Sequence, residues 1–457
     1  MHLPPEDQQE VTSRTHKTTI HTSVLFNSQT KTFDSNISIE VDTVTGLIIR
    51  VYQRDDERIH STPALAGDKS IIDLRHLTVL PGFVDAHTHA FLHSYLETPS
   101  LNQERDESFV ERVVRATNHC RAALKAGYTT YRDLGTEGLS DADVGLRDAI
   151  NRGIIPGPRM FVVTDPIAST GSYAVRYESR LNGAVAPQLS DTCDGVDGVM
   201  AGVRKRIGAG ADVIKFYADY RRRQLRFPGQ AWPGCLPILH PPGQGEKIPP
   251  WSMPANPART MWSQAEMNAI VEEAHRARAP VAAHAIEGEA IIMASRAGVT
   301  SIEHGYLATP DAIKAMKENN VIYVPTLSVL EVEKGTIGDE GIAFAKKKVK
   351  AAYDAGVRLA CGGDTGASPH GQNIREVEMM VDAGIPVQEA LRGATLGGWE
   401  ACGGDWCGRR FGWIAEGCAA DLVGLVGDPR QGLECLRKVK FVMKDGRVWV
   451  RDGEWIE

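Results

Sequence analysis

The chain has 457 residues, 42% hydrophobic and 24% charged, with 51 Lys plus Arg against 58 Asp plus Glu and a formal net charge of −7. That balance suits a globular chain with a sizeable core, rules out wholesale disorder and fibrous classes, and argues against nucleic acid or a membrane surface as partner. No run reaches the ~20 apolar residues of a membrane-crossing helix, and Met1 to Asp7 carries neither a basic nor an apolar leader, so a cytoplasmic location is expected. The eight cysteines contain no C-x-x-C pair and read as reduced thiols.

Residues 18–80 carry short β-type runs at 23–26, 37–41 and 47–51, separated by turn residues. The same texture returns near the end, at 420–426, 439–443 and 448–450, with Lys444-Asp445-Gly446 as a turn. A composite β-sandwich assembled from residues 1–80 and 408–457 is therefore expected. Between them, apolar β-rich runs at 77–84, 129–134, 160–163, 213–217, 281–285, 301–303, 321–325 and 358–361 alternate with helical spacing. Examples of the helical spacing are Phe109, Val113, Val114 and Ala122 ahead of Gly127, and Met267, Ile270, Val271 and Ala274 behind Ser263 as N-cap. Eight such units predict an α/β fold, a (β/α)8 TIM barrel over residues 81–407, with its chemistry where the C-terminal strand ends meet the βα loops. One connection, residues 219–261, is rich in Pro, Gly, Arg and Trp without periodicity; its length and its place after a strand end predict a lid over the barrel mouth.

The strand ends then supply a ligand set. His87 and His89 lie two apart in an extended segment and so share a face. Lys215, His284, His304 and Asp364 end four other strands. Four imidazoles, a carboxylate and a lysine suit a borderline-soft divalent ion such as Zn²⁺. An ammonium cannot bind a cation, but a buried lysine loses its proton readily, and its neutral amine could add CO₂ to give a carbamate that bridges two ions ~3.5–4 Å apart. Arg221, at the root of the lid, could fork onto a substrate carboxylate, and Tyr217, Tyr220 and His370 could orient the substrate carbonyl.

The joint pattern P-G-F-V-D-A-H-T-H (81–89), V-I-K (213–215), A-H-A (283–285), I-E-H-G (302–305) and G-G-D-T-G (362–366) resembles the metal-dependent amidohydrolase superfamily. It is closest to the imidazolonepropionase-like and prolidase-like group that includes ochratoxinase. The resemblance implies two divalent ions. His87, His89 and Asp364 would serve one, His284 and His304 the other, with carboxylated Lys215 between them, a bridging hydroxide as nucleophile, and Asp364 as general base and acid. Two departures stand out: Tyr173 falls where relatives usually place His, and Tyr217-Ala218-Asp219-Tyr220-Arg221 replaces their Ser-Gly-Gly segment. The expected activity is hydrolysis of an amide C–N bond in an N-acyl amino acid, dipeptide or amide-linked xenobiotic. Lactone, ester, phosphotriester or cyclic-amide hydrolysis is the alternative, and a barrel kept only as a scaffold is the non-enzymatic one. A small-molecule substrate is the expected partner, and homo-oligomers are the common outcome for soluble enzymes.

Overall fold

The computed structural model describes residues 16–54, 70–173, 188–219, 221–222 and 258–456. The N-terminal strands are β1 (Lys17–Asn27), β2 (Thr32–Ser35), β3 (Ile37–Asp42), β4 (Leu47–Gln53) and β5 (Ile71–Pro81). The central strands are β6 (Phe83–Thr88), β7 (Tyr128–Asp133), β8 (Arg159–Val162), β9 (Ile167–Ala168), β10 (Asp191–Thr192), β11 (Ile214–Tyr217), β12 (Arg221–Arg222), β13 (Ala258–Arg259), β14 (Val281–Glu287), β15 (Ser301–Leu307), β16 (Ile322–Val324) and β17 (Arg358–Leu359). Four more follow at the end: β18 (Leu422–Leu425), β19 (Val439–Lys444), β20 (Arg447–Arg451) and β21 (Glu454–Trp455).

Strands from both ends of the chain share one nine-stranded sheet, ordered β21-β20-β19-β18-β5-β1-β3-β4 with β2 beside β1. Alternation sets its faces: Ile39 and Val41 are fully buried, while Glu40 between them pairs with Lys17 at 2.7 Å. Phe441, Leu422 and Val79 from distant parts of the chain complete the same apolar cluster.

Apart from β12 and β13, the central strands pair in parallel and are mostly buried, as strands covered on both faces are, although β7 carries Thr, Arg and Asp. They form a three-stranded sheet, β6-β7-β8, and a seven-stranded one, β10-β9-β11-β14-β15-β16-β17. Backbone hydrogen bonds link the two sheets at both margins: Asp212 N and Val213 N donate to Val162 O (2.8 and 3.1 Å), and Ala86 N donates to Cys361 O (2.9 Å). Helices follow the strands and bury their apolar stripes on them. Ser263 caps one of these helices, Gln264–Arg276, through a reciprocal capping box with Glu266.

The structure differs from expectation in two local respects. The run at 77–84 is two strands, since β5 joins the terminal sheet and β6 opens the inner one. Between them Gly82 lies so close to β7 that an added Cβ would stand 2.2 Å from Thr129 Oγ1. On the helix Phe109–Lys125, Phe109 and Val114 are exposed, and the buried stripe is Ala116, Cys120, Ala123 and Leu124. Small side chains at this 3–4 spacing allow close approach to the strands. Of the expected lid only the root is described, where β12 pairs antiparallel with β13; the remainder lies outside the described residues. Cys120, Cys193, Cys361, Cys402, Cys407, Cys418 and Cys435 are free thiols, and Cys235 lies outside the described residues. No described helix is long and apolar enough to cross a membrane.

Candidate metal centre

At the C-terminal ends of the central strands a cavity is walled by His87, His89, Lys215, His284, His304 and Asp364, together with Tyr95, Glu137, Tyr173, Tyr217, Tyr306 and Glu333. All six expected ligands thus meet in one place. One nitrogen each of His87 and His89 and one oxygen of Asp364 lie within 4.8 Å of one another. Asp364 Oδ1 stands 3.4 Å from His89 Nε2 and 3.7 Å from His87 Nε2. The imidazoles are near neighbours, with ring centroids 5.4 Å apart for His87 and His89, 5.0 Å for His87 and His304, and 4.5 Å for His284 and His304.

What holds each ring decides which nitrogen is available. His89 Nδ1 donates to the carbonyl of Gly135 at 2.8 Å, so its Nε2 faces the cavity. His87 Nδ1 meets Glu303 Oε2 at 2.9 Å, and Glu303 also accepts from Arg132 Nη2 (2.7 Å) and Ser301 Oγ (2.5 Å). His304 Nδ1 lies 2.9 Å from Thr326 Oγ1, which Tyr306 in turn contacts. Such outer hydrogen bonds fix tautomer and ring orientation around metals. Asp219 lies at the far side of His284, Oδ1 to Nε2 at 3.8 Å, while its other oxygen accepts from the backbone of Ile286 and Glu287.

The electrostatics favour ligand-ready forms. Burial lowers His87 to about 4, His304 to about 3 and His284 well below its ordinary value, so all three are neutral at pH 7. Burial also lowers Lys215 to about 8 despite the pull of Glu303 and Asp364, leaving some neutral amine at pH 7. For Asp364, burial is outweighed by His87 and His89, which hold its carboxyl well below the usual range. His89 is the exception. Burial opposes its charge, but Asp364, Glu137 and Asp133 raise it to about 9, so without a cation it forms an ion pair with Asp364. The donor set fits a divalent ion: His87 and His304 are neutral with Nδ1 already engaged, His89 has Nδ1 engaged, Asp364 is ionised, and Lys215 is buried with depressed basicity.

The other expected residues divide. Tyr217 and Tyr173 line the cavity and direct their hydroxyls to Glu137, at 3.4 and 2.9 Å. His370 does not line it. That ring stacks on His119 at 4.2 Å and bonds to Leu92 O at 3.0 Å, a packing role one layer behind the wall. Tyr220 lies outside the described residues, and Arg221 is placed only as backbone of β12. Sequence reasoning missed Glu303, Arg132, Thr326, Tyr306, Tyr95 and Glu137. The available signal for Glu303 was an acid inside an apolar strand. For Thr326 and Glu137 it exists only in three dimensions, as a left-handed backbone: φ is 49° and 52° there, as at His304 (72°) and Asp364 (49°). A larger cavity of about 720 Å³ opens at the opposite strand ends, but its Arg147, Arg159, Asp212 and Asp445 are already paired with one another, and it holds no such ligand set.

Comparison with known proteins gives a consistent result. A model of the amidohydrolase family matches residues 78–223 and 251–449. Ochratoxinase of Aspergillus niger is 29% identical over 440 residues, 89% of this chain and 80% of its own length. A solved Xaa-Pro dipeptidase with methionine in its active site has a TM-score of 0.74 and 29% identity, covering 95% of this chain and all of that one. The solved A. niger ochratoxinase has a TM-score of 0.72 at 24% identity over 95% of this chain and 96% of its own.

Proposed function

The chain belongs to the amidohydrolase family, in its ochratoxinase- and prolidase-like group, and is a hydrolase of carbon–nitrogen bonds; from that premise we propose that it is a two-metal amidohydrolase for dipeptides, N-acyl amino acids or similar small amides. The convergence of His87, His89 and Asp364 within 4.8 Å, each ring held from behind, carries this reading. The two parallel sheets, joined at both margins, are read as one closed (β/α)8 barrel over 81–407. The terminal strands are read as a composite β-sandwich of 1–80 and 408–457, and residues 219–261 as a lid.

His87, His89 and Asp364 would hold one ion and His284 and His304 the other, with Lys215 between them as its carbamate. To form it, the neutral amine adds to CO₂ and a proton leaves the nitrogen, turning a would-be cation into a bridging anion. Zinc is the expected metal on donor chemistry. Bound ions would supply Lewis-acid polarisation of the scissile carbonyl and acidify a water to near neutrality. The chain's own part is proton traffic and orientation. Asp364, ionised and 3.4 Å from His89, can accept the proton of the attacking water and hand it to the leaving nitrogen. Tyr217 and Tyr173 put hydroxyls on one wall, where both donate to Glu137 and fix that carboxylate beside the substrate space. The imidazoles and Lys215 are buried and Asp364 is half-buried, which limits bulk water and strengthens these interactions.

A panel of dipeptides, N-acyl amino acids, lactones and phosphotriesters, assayed with Zn²⁺ and with Co²⁺, tests the reading. Amide turnover that falls at least 100-fold in Asp364→Asn is expected. Turnover confined to lactones or phosphotriesters would move the assignment to another bond, and no turnover on any class would leave a scaffold.

A further inference from the structure

We propose that Glu137 is a specificity-determining residue that binds a cationic group of the substrate, selecting amides with a free α-ammonium, dipeptides or aminoacyl amides, over N-acylated ones. The proposal rests on the amide-hydrolase reading and narrows it. Glu137 is 4% exposed, yet its carboxylate faces the same cavity as the metal ligands. Among the described residues no Lys or Arg stands within 4 Å of its oxygens; its nearest charged neighbour is His89 Nδ1 at 3.8 Å, which already donates to Gly135 O, while buried Arg112 and Lys215 act on it from farther off. A buried carboxylate is ordinarily paired with a cation. Here the two hydroxyls of Tyr173 and Tyr217 take one oxygen each, which leaves acceptor capacity for an ammonium.

The backbone is built to present it. Glu137 has φ 52°, a left-handed conformation that a side-chain-bearing residue keeps only when its surroundings impose it. They do so on both flanks: Thr136 O accepts from buried Arg112 Nη2 at 2.9 Å, and Thr136 Oγ1 accepts from Leu139 N and donates to Ser140 O. Glu333 stands at the same cavity, so beyond the ligand set its charged walls are acidic among the described residues. Such walls attract an ammonium and repel a carboxylate.

The test compares wild type with Glu137→Gln on a leucyl dipeptide and its N-acetyl form, and measures calorimetric binding of leucinamide and N-acetylleucinamide. Loss of the charge should lower kcat/KM for the free dipeptide at least tenfold, mostly through KM, while the acetylated substrate changes less than threefold. Leucinamide binding should weaken equally and N-acetylleucinamide binding should not. Equal losses on both substrates, or a wild type that binds both amides alike, would overturn the proposal. If neither substrate is cleaved, the hydrolase reading fails by itself, while selective loss of leucinamide binding in the variant would still support the ammonium site.

Discussion

Replacing Glu303 with Gln preserves its volume but removes the one charge that serves two buried donors. Glu303 is fully buried, accepts from Arg132 Nη2 at 2.7 Å and meets His87 Nδ1 at 2.9 Å. Arg132 is itself fully buried, and its other bonds go to neutral acceptors: Ala86 O (2.6 Å), Ser301 Oγ (2.8 Å) and Ala401 O (3.1 Å). Uncompensated burial of that guanidinium costs about 3–5 kcal/mol. The amide also has one acceptor and one donor end, so whichever way it turns, an N–H faces either Arg132 or His87. If it faces His87, the ring proton shifts from Nδ1 to Nε2, the nitrogen required for metal. Loss of such an outer partner weakens metal affinity about 10–100-fold. Thermal unfolding of the metal-free variant should drop by several degrees, and competition with a chelator should show weaker zinc. Unchanged melting with unchanged affinity would refute the coupling of Glu303 to both neighbours.

In the metal-free protein the pairing of His89 with Asp364 makes stability depend on pH. His89 is raised from 6.5 to about 9, so its contribution, about 3 kcal/mol, is fully present below pH 6.5 and is lost as pH rises through 9. Melting in EDTA should therefore decline between pH 6.5 and 8 in wild type but not in His89→Gln; above pH 8 the folded protein's loss of the Lys215 proton, whose pKa is lowered from 10.5 to about 8, offsets the decline. For the same reason zinc uptake at pH 7 should release the His89 proton, read by calorimetry in buffers of different ionisation enthalpy. Gly82→Ala should destabilise by about 1–3 kcal/mol in urea unfolding, because its Cβ would sit 2.2 Å from Thr129 Oγ1. Adding Thr129→Ala should recover part of that loss, but not all, since Asp421 Cβ stands 2.9 Å away on the other side.

Much of the site was legible because ligand-type residues stand out at the ends of apolar strands, and His87, His89, Lys215, His284, His304 and Asp364 all line one cavity. The alternation of strand and helix likewise predicted the central parallel elements within a few residues. What escaped depends on packing between distant segments. Nothing local shows that the run before His87 changes sheets at Gly82; the reason is the approach of β7. The helix Phe109–Lys125 misled through its large apolar residues, because its inner stripe is Ala and Cys packed close. His370 shares a sequence neighbourhood with Asp364 but turns behind the wall to stack on His119. Glu137 has no motif at all, since its meaning comes from a left-handed loop residue and two tyrosines from elsewhere in the chain, Tyr217 at the end of β11 and Tyr173 in the loop after β9.

The central claim is that six side chains hold two divalent ions with Lys215 as the bridge. Elemental analysis of the purified chain and of Lys215→Ala, with amide turnover measured on the same samples, tests it most directly. Wild type should carry about two ions per chain. Metal and turnover should fall together in the variant, and a short carboxylic acid should restore part of both. A folded wild type with no bound metal and no turnover after adding Zn²⁺ or Co²⁺, or a variant that keeps both ions and full activity, would contradict the account.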